Sequence, residues 1–187
     1  MELVIAGIRF RFSRRTIIAA LIFTVAVSAA ASGSSEDYDE YLEGLYRNTV
    51  ETIEPNELAA MLESGREIVM LDTRTEAERA VSYIEGSKFI DFDMFSLDEI
   101  DKIDKDSIII TYCAVGYRSE RIGQKLLEAG YSDVRHLYGG IIEWQNDGQA
   151  LTRGPTHPNT ESTVIHGYAP KWGRYVASGA VIYEPKP

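Results

Sequence analysis

The sequence predicts an α/β protein with a parallel central sheet and helices on both faces. Four short apolar runs, Glu67 to Leu71, Lys88 to Ile90, Ser107 to Tyr112 and Val134 to Leu137, have the length and branched character of covered strands. Segments with helical spacing alternate with them, the arrangement that gathers strands into one parallel sheet and lays helices on its faces. At 187 residues the chain can hold one ordinary domain with extensions at its ends.

Taken in order, the first extension reads as an export signal over residues 1–31. Arg9, Arg11, Arg14 and Arg15 precede an uncharged stretch from Thr16 to Ser35, strongly apolar from Ile17 to Val27 and then rich in small residues. Ser13 to Ile18 resembles the twin-arginine export motif of bacteria. The strongly apolar part is about half of the ~20 residues a spanning helix needs, so a cleaved signal and a periplasmic location are expected, with an uncleaved membrane anchor as the alternative. Residues 32–51 form an acidic leader with three tyrosines and no motif.

The main domain is expected over 52–150. Pro55 suits the first turn of a helix whose inner face is Leu58, Met61 and Leu62 and whose stop is Gly65. After the Ser107 to Tyr112 strand, Ile122, Leu126, Leu127 and Ala129 share a helical face that Gly130 ends. Residues 151–187 open with a proline- and threonine-rich loop. They continue with a stretch, Val164 to Val176, too aromatic for a solvated tail and expected to pack on the domain. Plain packing on the sheet edge is the favoured reading, and narrowing of access to the cysteine by His166, Tyr168 or Trp172 the alternative.

Charge and cysteine count remove several classes of function. The formal net charge is −10. Without residues 1–31 the chain loses four arginines and one glutamate and stands at −13, which excludes nucleic acid as a natural partner and leaves a membrane partner only to an uncleaved signal. One cysteine excludes an internal disulfide. His136, His157 and His166 lack ligand spacing with it, so neither metal nor cofactor is expected.

That cysteine, Cys113, is the candidate nucleophile. It ends a central strand just before a helix, and parallel sheets place their working sites at the carboxyl ends of strands. A buried cysteine is ordinarily a small hydrophobe. Here Cys113 to Arg118 read as a turn in which Gly116 lets several amides face one point, while Arg118 and the start of the helix add positive potential. A thiolate would be stabilised there.

These residues resemble the rhodaneses, whose catalytic cysteine opens a six-residue loop. Ile68 to Glu78 looks like the family's strand with Asp-x-Arg and a following glutamate, and Tyr83 to Ile90 resembles its His-Ile-Pro-Gly-Ala segment. Gly130 to Trp144 is similar to its last strand and glycine-led helix. The resemblance covers about residues 52–150. It implies a sulfurtransferase in which Cys113 carries a persulfide, Ala114, Val115, Gly116, Tyr117 and Arg118 cradle the donor, and Asp72, Arg74 and Glu78 form a scaffold ion cluster. The implied partners are a small sulfur-donor anion, thiosulfate first, and a thiol or cyanide acceptor, with a protein sulfur acceptor as a further option. Ala114 and Val115 stand where many thiosulfate-using relatives carry polar or basic residues, and Tyr83 stands where histidine is usual. The alternative is a sulfur-carrier or protein-interaction module without turnover. Phosphatase or arsenate reductase chemistry is disfavoured, because those loops hold five residues between cysteine and arginine and this one holds four.

Overall fold

Residues 2–5, 8–11 and 37–184 are described by the structure, a computed structural model. Of the expected export signal over residues 1–31, only 2–5 and 8–11 are among them; residues 12–31, with the twin-arginine-like Ser13 to Ile18, lie outside. Two compact units divide the chain at residues 41 and 42. In the first, β1 (Glu2–Ile5) and β2 (Ile8–Arg11) pair as an antiparallel hairpin. Helix α1 covers residues 37–45.

The second unit is built on a five-stranded parallel sheet of β3 (Glu51–Ile53), β4 (Ile68–Asp72), β6 (Lys88–Phe89), β7 (Ile108–Tyr112) and β8 (Asp133–Leu137), in the order β3-β8-β7-β4-β6. β7 is central, which is why five branched or aromatic residues in a row suit it: both faces are covered. Alternation along the strands separates those faces. Leu71, Ile109 and Val134 point into a core completed by Ile122 and Leu126 of α4 (Tyr117–Glu128) and by Ile100 of a 3₁₀ turn (Leu97–Ile100). Arg135 alternates to the other side, where its guanidinium meets Glu57 of α2 (Pro55–Glu63) at 3.9 Å. Helices thus lie on both faces.

The remaining elements are short. α3 (Glu76–Val81) leads into β5 (Ser82–Tyr83), which pairs antiparallel with β9 (Leu151–Arg153), itself paired with β10 (Glu161–Ser162). α5 (Gly140–Asn146) follows β8. After residue 163, β11 (Val164–His166) and β12 (Ala180–Ile182) form a parallel pair around the one-turn helix α6 (Pro170–Gly173). Ile165 and His166 are fully buried.

Candidate active site

Cys113 leaves the end of β7 and is 1% exposed. The turn is two residues shorter than the sequence suggests, since α4 starts at Tyr117 and its first turn already includes Arg118. Gly116 precedes it with φ 93°, a left-handed conformation that side chains rarely adopt, and a Cβ there would overlap the ring of Tyr46.

Every carbonyl of the turn is tied back. Cys113 O accepts from Ile141 N at 2.9 Å and Ala114 O from Ile142 N at 3.3 Å, both in the first turn of α5. Val115 O accepts from Tyr46 Oη at 2.9 Å. Gly116 O accepts from Glu120 N at 3.0 Å and from Ser119 Oγ at 2.9 Å. In a planar trans peptide the N–H points opposite to the C=O. Anchoring each carbonyl therefore fixes the direction of the amide in the same peptide, those of Ala114, Val115, Gly116 and Tyr117. The Gly116 amide meets Cys113 Sγ at 3.2 Å, and Ser119 Oγ lies 3.9 Å from the same sulfur. The α5 helix approaches this closely because Gly140 has no side chain: a Cβ would overlap the Cys113 and Ala114 carbonyls.

Tyr46 is the residue that sequence reasoning missed. Its hydroxyl donates to Val115 O and accepts from Gly139 N at 2.9 Å, joining the cysteine turn to the start of α5. Burial holds the phenol well above its ordinary value, against the opposing pull of the Gly139 amide, so the hydroxyl keeps the proton it donates.

Arg118 reaches the site from α4, with two of its nitrogens at 2.8 and 2.7 Å from the carboxylate of Glu78. Burial alone would lower the guanidinium's affinity for its proton; the Glu78 hydrogen bonds and the charges of Cys113 and Glu78 outweigh it. Glu78 is fully buried, accepts also from Thr75 N at 3.1 Å, and closes the capping box of α3. Burial would raise its pKa, but Arg118 holds it below the usual carboxylate range. The two terminal nitrogens of Arg118 thus each spend a hydrogen bond on Glu78.

Asp72 and Arg74 are joined by direct hydrogen bonds, and the Arg74 charge also acts on Glu78, lowering its pKa. Asp72 binds Arg74 through two contacts of 2.8 Å and Arg79 at 2.9 Å, and Arg74 donates to Ser82 O at 2.7 Å. Burial disfavours the Asp72 carboxylate, yet the two arginines keep its pKa lowered. This group fastens β4 to α3 and β5. Glu78 accepts its hydrogen bonds from Arg118 and from the start of α3.

A cavity of about 270 Å³ opens over the sulfur. It is lined by Cys113, Ala114, Val115, Tyr117 and Arg118 together with Thr75, Phe92, Asp93, Tyr168 and Trp172. Tyr168 and Trp172 come from the C-terminal segment, so its aromatic stretch does more than pack on a sheet edge. Among the described residues no cluster of three or more histidine, cysteine, aspartate or glutamate side chains could hold a metal ion.

Fold and site together define a class: parallel α/β proteins with a cysteine set before backbone amides at the carboxyl end of a central strand. The description of the rhodanese-like domain matches residues 54–147, and the chain belongs to that family. It is 35% identical over 94 residues, half of this chain and 24% of the other, to the probable adenylyltransferase/sulfurtransferase MoeZ of Mycobacterium tuberculosis. To a sulfurtransferase of Allochromatium vinosum it is 30% identical over 99 residues, 53% of this chain and 92% of that protein. The crystal structure of a thiosulfate sulfurtransferase from Pseudomonas aeruginosa superimposes with a TM-score of 0.54 at 28% identity, over 66% of this chain and 24% of that one. The chain spans about a quarter of the mycobacterial relative. These likenesses place it in a sulfur-transfer family.

Proposed function

We propose that the chain is a sulfurtransferase that moves a sulfane sulfur from thiosulfate or another donor, through a persulfide on Cys113, to a thiol or cyanide. The observation that carries this is the anchored turn: each of its four carbonyls has a partner, and the Gly116 amide meets Cys113 Sγ at 3.2 Å, where negative charge must reside. In the first step the Cys113 thiolate attacks the outer sulfur of thiosulfate, a new S–S bond forms, and the old one breaks with its electron pair leaving on sulfite. In the second, the acceptor attacks the outer sulfur of the persulfide and the Cys113 thiolate departs. Ala114 to Tyr117 hold the anionic sulfur, Arg118 adds charge beside it, and Glu78 sets the position of Arg118. No cofactor takes part in this scheme.

Mass spectrometry of the thiosulfate-treated protein tests the reading: the Cys113 peptide gains one sulfur atom, and Cys113→Ser abolishes both that gain and transfer to cyanide. Absence of the gain with every sulfane donor tried overturns it.

A second reading, a sulfur carrier or interaction module, has an observation in its favour. Cys113 is 1% exposed and its turn offers apolar Ala114 and Val115, while Arg118 is already paired. A carrier holds a persulfide stably and releases it to a protein acceptor without multiple turnovers on cyanide. The phosphatase reading has only the four-residue spacing of the turn to work with, and aryl phosphate hydrolysis is not expected. We also read residues 1–31 as a removable signal that sends the protein to the periplasm, supported by its basic, apolar and small-residue parts. N-terminal mass analysis of the protein from a periplasmic extract tests it.

A further inference from the structure

The cavity over Cys113 is organic in character. Phe92, Tyr117, Tyr168 and Trp172 supply aromatic walls, and its charged groups are Asp93 and an Arg118 whose fork is occupied by Glu78. Once the thiolate forms, it shares the Arg118 guanidinium with Glu78, and Asp93 adds a further negative group to the cavity. A dianion such as thiosulfate meets little uncompensated positive charge there. An aromatic or alkyl body meets rings.

Those rings are held deliberately. Tyr168 lies over the Arg118 guanidinium at 4.8 Å, and Trp172 stands 4.8 Å from Tyr168 with an interplanar angle of 31°. Tyr168 adopts φ 57°, unfavourable for a bulky side chain, and its amide donates to Nδ1 of the fully buried His166 at 3.0 Å. Strain of this sort persists only where neighbours impose it. The neighbours are β11 and β12: a Cβ on Gly167 would overlap Val181 and Tyr183, and one on Gly173 would overlap the Tyr183 hydroxyl. Two close backbone approaches and a left-handed tyrosine thus bring two rings from outside the family-matched residues 54–147 over the reactive sulfur.

We propose that the donor this site accepts best is an organic sulfane compound, an apolar or aromatic body carrying a terminal sulfur and no more than one negative charge, and that Tyr168 and Trp172 set this preference. The inference rests on the sulfur-transfer reading of Cys113. With an organic thiosulfonate, R–SO₂–S⁻, the Cys113 thiolate attacks the terminal sulfur. The sulfur–sulfonyl bond breaks, its electron pair leaves on the sulfinate R–SO₂⁻, and the Cys113 persulfide anion remains. Two negative charges enter and two leave, and no oxidant, reductant or proton is needed.

Benzenethiosulfonate and thiosulfate are the probes, compared through kcat/KM for Cys113 persulfide formation, each divided by that donor's rate with a free small thiol. The normalised ratio is expected to favour benzenethiosulfonate by about tenfold or more. In Trp172→Leu and in Tyr168→Leu it falls about tenfold, chiefly through the aromatic donor's KM, as loss of a ring–ring contact implies. Trp172→Phe, which keeps a ring, retains most of the ratio and guards against a fold defect being mistaken for lost selectivity. A normalised ratio near one, or variants that slow both donors in proportion, overturns the donor preference while leaving sulfur transfer standing. If neither donor adds sulfur to Cys113, the sulfur-transfer reading falls and this inference with it.

Discussion

One hydroxyl controls the geometry of the cysteine turn. Tyr46 Oη satisfies the Val115 carbonyl and the Gly139 amide, both buried, and its ring fills the space a side chain at position 116 would need. Tyr46→Phe keeps the ring and leaves both partners unmet, which costs about 1–3 kcal/mol per group left unsatisfied. We expect a lower denaturant midpoint and persulfide formation slowed by about ten- to a hundredfold, because the Val115–Gly116 peptide that aims an amide at the sulfur is no longer held. An unchanged persulfide rate in a destabilised Tyr46→Phe would show that the turn holds its shape without the tyrosine. Gly116→Ala is expected to be worse on both measures, since it adds a left-handed strain to an overlap with Tyr46. At this scale the placement of Cys113, Gly116 and Arg118 around one strand-to-helix turn is legible in the sequence because it depends on close chain neighbours. Tyr46 and the partner of Arg118 are not. Tyr46 stands 69 and 93 positions from the groups it joins, in a leader with no motif, and Glu78 is 40 positions from Arg118.

The elements differ in how plainly they are written. β7 announces itself by five consecutive branched or aromatic residues, and α2 by Pro55 at its first position. β3, β5 and β9 to β12 have two or three residues each, too few for any alternation to register, and only their pairing partners make them strands. Leu127, expected on the inner face of α4, is 36% exposed, since Ile122 and Leu126 already fill the contact with the sheet. β8 carries a less visible feature. His136 is fully buried beneath the Tyr46 ring, edge to face at 4.8 Å, and neither ring nitrogen finds a hydrogen-bond partner among the described residues. Burial lowers its pKa to about 4, against the raising effect of the Glu120 charge. A base held neutral in the fold and free to take a proton when unfolded, near pH 6.5, removes stability as pH falls from about 6.5 toward 4. Asp72 and Glu78, whose pKa values the fold lowers, contribute fully above their unfolded values near 4 and lose that contribution only at lower pH. The interval from about pH 7 to 4.5 therefore isolates the histidine. Wild type is expected to lose about 2 kcal/mol more than His136→Leu across it, measured by urea unfolding at the two pH values. Parallel pH curves would show that His136 takes its proton as readily folded as unfolded.

At the scale of the whole molecule, the family's fold was legible because strands and loop motifs occur in a fixed order. The C-terminal roof over the cysteine was legible only as the alternative to packing on the sheet edge, since nothing local to Tyr168 or Trp172 says which surface they cover. Net charge is legible from composition alone and acts at longer range than any of these contacts. At −10, or −13 without residues 1–31, the molecule repels anions as they approach, and the repulsion extends about 30 Å at 0.01 M salt and about 8 Å at 0.15 M. The site does little to reverse it, because the guanidinium that would draw an anion inward faces Glu78. Encounter with thiosulfate should therefore speed up as salt is added, and kcat/KM for that donor is expected to rise about two- to fivefold between about 0.01 and 0.15 M salt. Benzenethiosulfonate, with half the charge, should show about half the slope on a logarithmic scale. Measuring both donors across the same salt series separates steering from general salt effects on the fold, which would move the two slopes together. A fall in kcat/KM with salt would reverse the argument: the amides of the cysteine turn and Arg118 would then project enough positive potential beyond the cavity to attract a dianion against the charge of the entire chain.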